Sequence, residues 1–513
     1  MTISQAMNIS RESMNNYQQA LSVVSHNIAN MNVDGYIKLR ADFSTNPSYN
    51  YGTSVSATVR GLNGATISKI TSYADAIAAD TARHANSDAA YYNELATLMD
   101  SLGEISNELG ESGLQAVLGD FFTAAQNLST NPTDPSARRL FIEGAQNVAA
   151  KFNSISTSLN SLQEELVGNW QEPATIESSN LSTDIDIFNK HLERLAEVNK
   201  EILIAGNSGS TNGLINEREQ ILSELSGYMD ISVQQKGDNT IQVSIGNTTL
   251  VSGAKQVAKL DVAAGDENTP ALIQVKTPNN ELLYSNINNQ IQGGKISAVL
   301  DTVNAKDGNI TINDMRKQIN NLATTFAKEV NDAQLYKDGN TKAMAMGVDA
   351  QGNAILVEAT EPIFDTTVAI NAGTIKVNSK VINNIDHIAA ARVDTSVAGY
   401  EKNIGNSDNI VQISQLRDKK TMSTVDSVIN STFEGYLTYC AGQLGIQQGD
   451  IANKAQTANA INDSAQSSLQ SINGVNLDEE LADMIKYQRG YEASARLFNT
   501  ANEIYQILVN LGA

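Results

Sequence analysis

The two ends of the chain carry the same apolar signature, and the middle does not. Ile3, Met7, Ser10, Met14, Tyr17, Leu21, Val24 and Ile28 recur at alternating steps of four and three. Leu477, Leu481, Met484, Gln488, Tyr491, Ala495, Phe498, Asn502 and Tyr505 do the same near the other end, and Leu508 prolongs the line. Each is a heptad seam with polar interruptions at Ser10, Gln488 and Asn502. An apolar seam on a lone helix faces water and needs a partner. The ends therefore pair with each other, with other subunits, or both. The pattern describes a part that assembles, not a pocket that turns over substrate.

Composition narrows the field. A chain of 513 residues is long enough for two to four domains. Its net charge of −22 repels phosphate backbones, so no nucleic-acid partner is expected. Cys440 is the single cysteine and cannot form an internal disulfide; a small buried hydrophobe is the expected role. No run approaches the length of a membrane span, and the N-terminal seam carries few basic residues, so no membrane insertion is expected. No secretory signal is visible at the N-terminus.

The interior alternates between periods. Turn formers at Asn30, Asn32, Asp34 and Gly35 end the first helix, and residues 44–72 read as extended or loop. Helical seams follow through Tyr91–Leu109, Phe141–Leu166, Phe188–Ile202 and Leu214–Leu225, with Pro132 and Pro135 as punctuation. From about residue 230 the period becomes two, with turns at 237–239 and 246–247, and β-rich sequence runs to about 300. Helix resumes through Met315–Val330. A β-leaning stretch covers 337–409, and 410–470 is helical again. The fold class is α+β multidomain: an elongated helical rod formed by both chain ends, with coiled-coil-like termini and inserted β-rich modules. The expected division is 1–45 with 472–513 as a terminal assembly domain; 46–225, 305–336 and 410–471 as a helical bundle; 226–304 as a β-rich insert; and 337–409 as a smaller one.

Nothing in the sequence composes an active site. The four histidines lack zinc-motif spacing. Gly293-Gly294-Lys295 lacks the earlier glycine of a phosphate loop and reads as a turn. Lys337–Asn340 and Asp349–Gly352 lack the ligand series of a calcium loop and read as β-turns. Asp478, Glu479 and Glu480 fall in the first turn of a helix, where carboxylates suit the macrodipole. Neither an enzyme nor a cofactor or metal site is expected.

The ends do carry family motifs. NIANMNVDGY, residues 27–36, resembles the N-terminal signature of flagellar rod, hook and hook-associated proteins through Asn27, Ile28, Ala29, Asn30, Gly35 and Tyr36. Val33 and Asp34 stand where that signature has Thr-Pro. The segment 474–511 resembles the matching C-terminal helix. Phe121, Phe122, Pro132, Ala137 and Arg138, together with 212–225, are similar to the flagellar hook-associated protein 1 (FlgK) family; the resemblance is weakest over 337–409. It implies a structural junction between hook and filament, located outside the cell and exported by the flagellar type III apparatus. The implied partners are further copies of the chain, the hook protein, a second hook-associated junction protein and a FlgN-type export chaperone. The two seams would be the assembly surfaces, and the C-terminal one also the chaperone's. A hook or rod protein is the alternative.

Overall fold

The computed structural model describes residues 3–33, 35–45, 65–72, 75–110, 112–206, 211–304, 310–422 and 430–511. Both ends are helical, as their periodicity predicts: α1 spans Ile3–Asn30 and the last helix, α12, spans Leu477–Leu511. After α1 come β1 (Leu39–Thr45) and β2 (Ala65–Ser72), an antiparallel pair with a bulge at Asp42/Phe43. Of the 44–72 stretch expected to be extended, residues 46–64 lie outside the described residues.

The bundle begins with α2 (Ala76–Asn107), α3 (Leu114–Thr130), α4 (Pro135–Val167), α5 (Asn180–Ala205) and α6 (Asn212–Tyr228). Its helices start where local chemistry dictates. The Asp75 carboxylate accepts from the amides of Ile77 and Ala78. Asp134 caps α4 in the same way, with Pro135 at the first helical position, so the prolines that punctuate the sequence open this helix.

Two small antiparallel sheets follow, β3 (Ser232–Gln235) to β6 (Lys255–Gln256) and β7 (Lys259–Ala264) to β9 (Leu282–Tyr284). Between them lie β4 (Ile241–Ile245), β5 (Thr248–Ser252) and β8 (Ala271–Lys276). Asn239 and Gly246 take positive φ at the expected turns. The β-rich reading to about 300 ends early, because Gly294–Val303 forms α7. Its short run Ile296–Val303 suits a buried strand or a buried helix equally. Packing on α2 and α6 selects helix and buries it almost all round. Gly294 is needed at its start: a Cβ there would lie 2.2 Å from the Tyr228 carbonyl carbon. Lys295 pairs with Asp184 at 2.6 Å.

Next come α8 (Ile312–Gln334), opened by a Thr311–Asp314 capping box, then β10 (Lys337–Asp338), β11 (Thr341–Val348) and β12 (Ala354–Glu358). After them come α9 (Ser379–Asn383), β13 (Ala391–Asp394), α10 (Asp408–Gln415) and α11 (Phe433–Asn473). Residues 337–409 divide in their packing. Met344, Leu356, Ala391 and Val393 share a core of their own. By contrast, Ile363, Phe364, Ile375, Val381 and Ile388 lie in the main core with the bundle. Fully buried Arg138 fixes this part: its Nε donates to the Pro132 carbonyl (2.8 Å) and its Nη1 to those of Ile385 and Ile388 (3.1 Å each).

α2 and α11 run antiparallel over most of their length, with Asn93 opposite Asn459 and Gln448 donating to the Met99 carbonyl. Cys440 is buried in α11, and burial pushes its thiol up to about 12. The core centres on Phe326 of α8. Its ring lies 5.3 Å from Phe121, 5.5 Å from Phe364 and 5.5 Å from Phe433, with Phe122 and Phe152 slightly further. One side chain therefore joins α3, α4, the 364 segment and α11. Phe326→Ala should cost about 3–5 kcal/mol of bundle stability in urea unfolding. Val348→Ala, at an exposed position, should stay within about 0.5 kcal/mol of the parent.

Candidate assembly interface at the paired chain ends

α1 and α12 pack against each other along their lengths. Asn27 meets Glu480, while Tyr17 meets Tyr487 and Gly490, so the pair is antiparallel. The family turn motif is the knot at its base. Asn27 is 1% exposed and uses its whole carboxamide. Its Oδ1 accepts from the Tyr36 hydroxyl and the Leu39 amide, both at 2.9 Å. Its Nδ2 donates to the Leu39 carbonyl and to Glu480 Oε1, both at 3.0 Å. One side chain thus ties α1, the turn, β1 and α12.

The rest of the motif supports this knot. Asn30 donates to the His26 carbonyl, and His26 Nδ1 lies 2.9 Å from the Tyr36 hydroxyl. Gly35 supplies a φ of +72°, and the Tyr36 amide closes the turn on the Val33 carbonyl. Asp34 lies outside the described residues. Ile28 is half-buried and Ala29 exposed. Burial pushes the Tyr36 hydroxyl up to about 12, so it stays a donor at physiological pH. Burial also raises the Glu480 carboxyl above its ordinary value, although the Asn27 hydrogen bond and Lys38 oppose this. Asp483 and Glu479 add to the rise. Reading Glu480 only as helix N-terminal charge misses this role. Its fourth-place position after Asn476, whose side chain accepts from the Asp478 amide, is all that the sequence offers.

The seam residues divide between two surfaces. On α1, Val24 is buried, and Ile3, Met7, Met14, Tyr17 and Leu21 are half-buried. Beside them, Asn16 and Asn27 reach the hairpin: Asn16 donates to the Ala65 carbonyl and Asn27 holds Leu39. On α12 the line facing α1 is rotated from the one read in the sequence. Glu480, Ser494 and Ala501 are its buried residues, one per heptad, with Tyr487 half-buried between them. Tyr505 and Leu508 lie past the stretch that α1 covers and are exposed there; beside α1, Met484 and Phe498 are half-buried at the edge of the line, whereas Leu477, Leu481 and Tyr491 stay exposed. The reason is steric: a Cβ on Gly490 would lie 2.6 Å from the Tyr17 ring, so close approach selects small residues and leaves the large ones outside. The apolar periodicity signals a seam but not which face α1 takes.

No group of residues suited to a metal ion occurs among those described, and no helix among them is long and apolar enough to cross a membrane.

Comparison with known proteins places these features. Residues 7–36 match the flagella basal body rod protein family, and 465–511 match the C-terminal family of flagellar basal body rod FlgEFG proteins. A protein whose two ends carry both is a flagellar axial component. Residues 99–342 match the helical domain of flagellar hook-associated protein FlgK. The chain is 26% identical to flagellar hook-associated protein 1 of Bacillus subtilis, across 98% of this chain and 96% of that one. It is 25% identical to the Salmonella typhimurium protein of the same name, across 99% and 100%. The chain belongs to the flagellar hook-associated protein 1 (FlgK) family, a structural family. Its fold resembles that of the flagellar hook junction protein FlgK from Burkholderia pseudomallei, with a TM-score of 0.54, 16% identity and coverage of 76% of this chain and 100% of that one.

The Glu480 shift has a definite sign. A carboxyl raised above its ordinary value of 4.5 binds its proton more readily when folded. The stability it contributes is full below that value and is lost as pH rises through the raised one. Glu480→Gln keeps an acceptor for Asn27 and removes the charge. Amide exchange over 477–501 should be slower in Glu480→Gln than in the parent at neutral pH, and the difference should shrink toward pH 4.5. Gly490→Val should expose the same amides at every pH.

Proposed function

We propose that this chain forms the junction between hook and filament, with copies joined through the paired ends. The observation that carries this reading is the apolar flank of α12. Leu477, Leu481, Ile485 and Tyr491 are all exposed although α1 covers the helix on its other side. A flank of this length on one helix is a docking surface. On the bundle, in contrast, exposed apolar side chains such as Ile77, Leu140, Ile204 and Ile446 stand on different helices. The N-terminal residues Ile3, Met7, Met14, Tyr17, Leu21, Val24 and Ile28 brace α12 from behind, and the α12 seam presents the flank. Export through the flagellar type III apparatus with a FlgN-type chaperone on this flank, and contact with the hook protein and a second hook-associated protein, follow from family membership. The location would then be extracellular. A hook or rod component would share both ends; the match over 99–342 favours the junction reading.

Leu481→Asp tests it. The side chain is 42% exposed, so the change should leave the melting of the isolated chain within about 0.5 kcal/mol of the parent. A charge on a face that neighbouring copies desolvate is costly, so flagella should keep hooks and lose filaments. Secretion is measured alongside, because a lost chaperone contact gives the same phenotype. Normal swarming with normal secretion would remove the assembly role from this flank.

A further inference from the structure

The two ends of the terminal pair differ in shape. At its base, where α1 stops and α12 begins, a groove of about 630 Å³ separates the turn from the bundle. Met31, Val33, Ile37, Ala79, Ala82 and Leu469 supply its apolar lining, and Glu219, Gln220, Ser223, Gln466, Gln470 and Asn473 its polar lining. This lies within the range of roughly 300–1,000 Å³ in which clefts hold ligands or side chains. Arg83 also lines it and is 9% exposed. Its Nη atoms pair with Asp80 and Glu219, while its buried Nε has no partner.

At the far end α12 overruns α1. The antiparallel register set by Asn27–Glu480 and Tyr17–Gly490 brings the start of α1, Ile3, opposite Ile504, three residues past Ala501, the last buried residue of α12. From there on, Ile504, Tyr505, Ile507, Leu508 and Val509 are all exposed. From Ile504 to Ala513 no residue carries a charged side chain, in a chain whose net charge is −22. Residues 504–511 rise about 12 Å, so they form a short uncharged plug.

We infer that the α12 tip of one copy, residues 504–509, seats in the base groove of the next. The occupant is a second copy for two reasons. Copies of so acidic a chain repel one another, and a tip without charged side chains, seated in a groove whose Arg83 and Glu219 pair with each other, is a contact that adds no like-charge penalty. Plug and groove also sit at opposite ends of the same helical pair. Tip-to-groove joining is therefore head-to-tail, and it repeats into a ring or helical layer instead of closing as a two-fold dimer. This contact rests on the assembly reading above and specifies which surfaces meet.

The test uses full-length chains in flagella. Cys440 is buried with its thiol pushed up to about 12, so it stays silent toward maleimides. One variant carries Leu508→Cys on the tip and the other carries Gln220→Cys on the groove rim. Both are expressed together in a strain lacking its own hook-associated protein 1, and isolated flagella are treated with a short bismaleimide. Cross-linked dimer should form in the mixed flagella at least tenfold more than in flagella built from either variant alone. Gln506→Cys is the second tip probe. Equal dimer from a tip variant alone would mean that tips meet tips, and would overturn the proposal. Intact filaments without dimer from either tip probe would also overturn it while leaving the assembly reading in place. If the unsubstituted chain is itself absent from flagella, the assembly reading fails and this contact with it.

Discussion

Extended segments laid across helices have no backbone partner there, because a helix spends its own amides and carbonyls internally. Buried peptide groups left unpaired cost about 1–3 kcal/mol each. This protein meets the constraint with carboxamides. Asn27 of α1 bonds both backbone groups of Leu39, Asn189 of α5 both of Leu260, and Asn331 of α8 both of Phe364. Gln334 does the same between His387 and Ala389. In each case an amide side chain imitates the edge of a strand without a charge that would need desolvation. Arg138 serves three carbonyls at the same kind of joint, and burial lowers its pKa.

These joints produce two bodies with different needs. The bundle closes a continuous core around Phe326, drawing on residues from α2 to α11 and from both sheet regions. Its exposed apolar side chains, such as Ile77, Leu140, Ile204 and Ile446, stand on different helices. The terminal pair has no such core, and its contact line with α1 runs through small and polar residues. Asn473 joins the two bodies: its carbonyl accepts from the Lys38 amide and its side chain from the Asp75 amide. Exposed large apolar side chains are therefore most concentrated on α12, from Leu477 to Val509. That imbalance is what suits the ends for assembly.

Much of this was legible residue by residue. The alternating four-three spacing at both ends predicts α1 and α12, and Pro135 and the 237–239 turn mark real boundaries. The aromatic pair Phe121–Phe122 stands in the motif and in the core. Other features were not legible because they depend on contacts distant in sequence. Ile296–Val303 carries no signal separating strand from helix until α2 and α6 surround it. The segment around Phe364 has no periodicity, yet it enters the bundle through Asn331. Glu480 looks like ordinary helix-end charge, and only the approach of Asn27 makes it a buried acceptor.

The sequence by itself determined that the ends are amphipathic helices in need of partners, that the middle alternates helical and β-rich segments, and that the terminal motifs are those of a flagellar axial protein. These properties follow from periodicity, turn chemistry and local residue type, which act within a few residues. Only the tertiary structure decided that α1 takes the small-residue line of α12, with the Tyr17 ring over Gly490, and turns Leu477, Leu481 and Tyr491 outward. A helix can bury only one face against a single partner, and the face with the closest backbone approach is set by side chains on the other helix, hundreds of residues away.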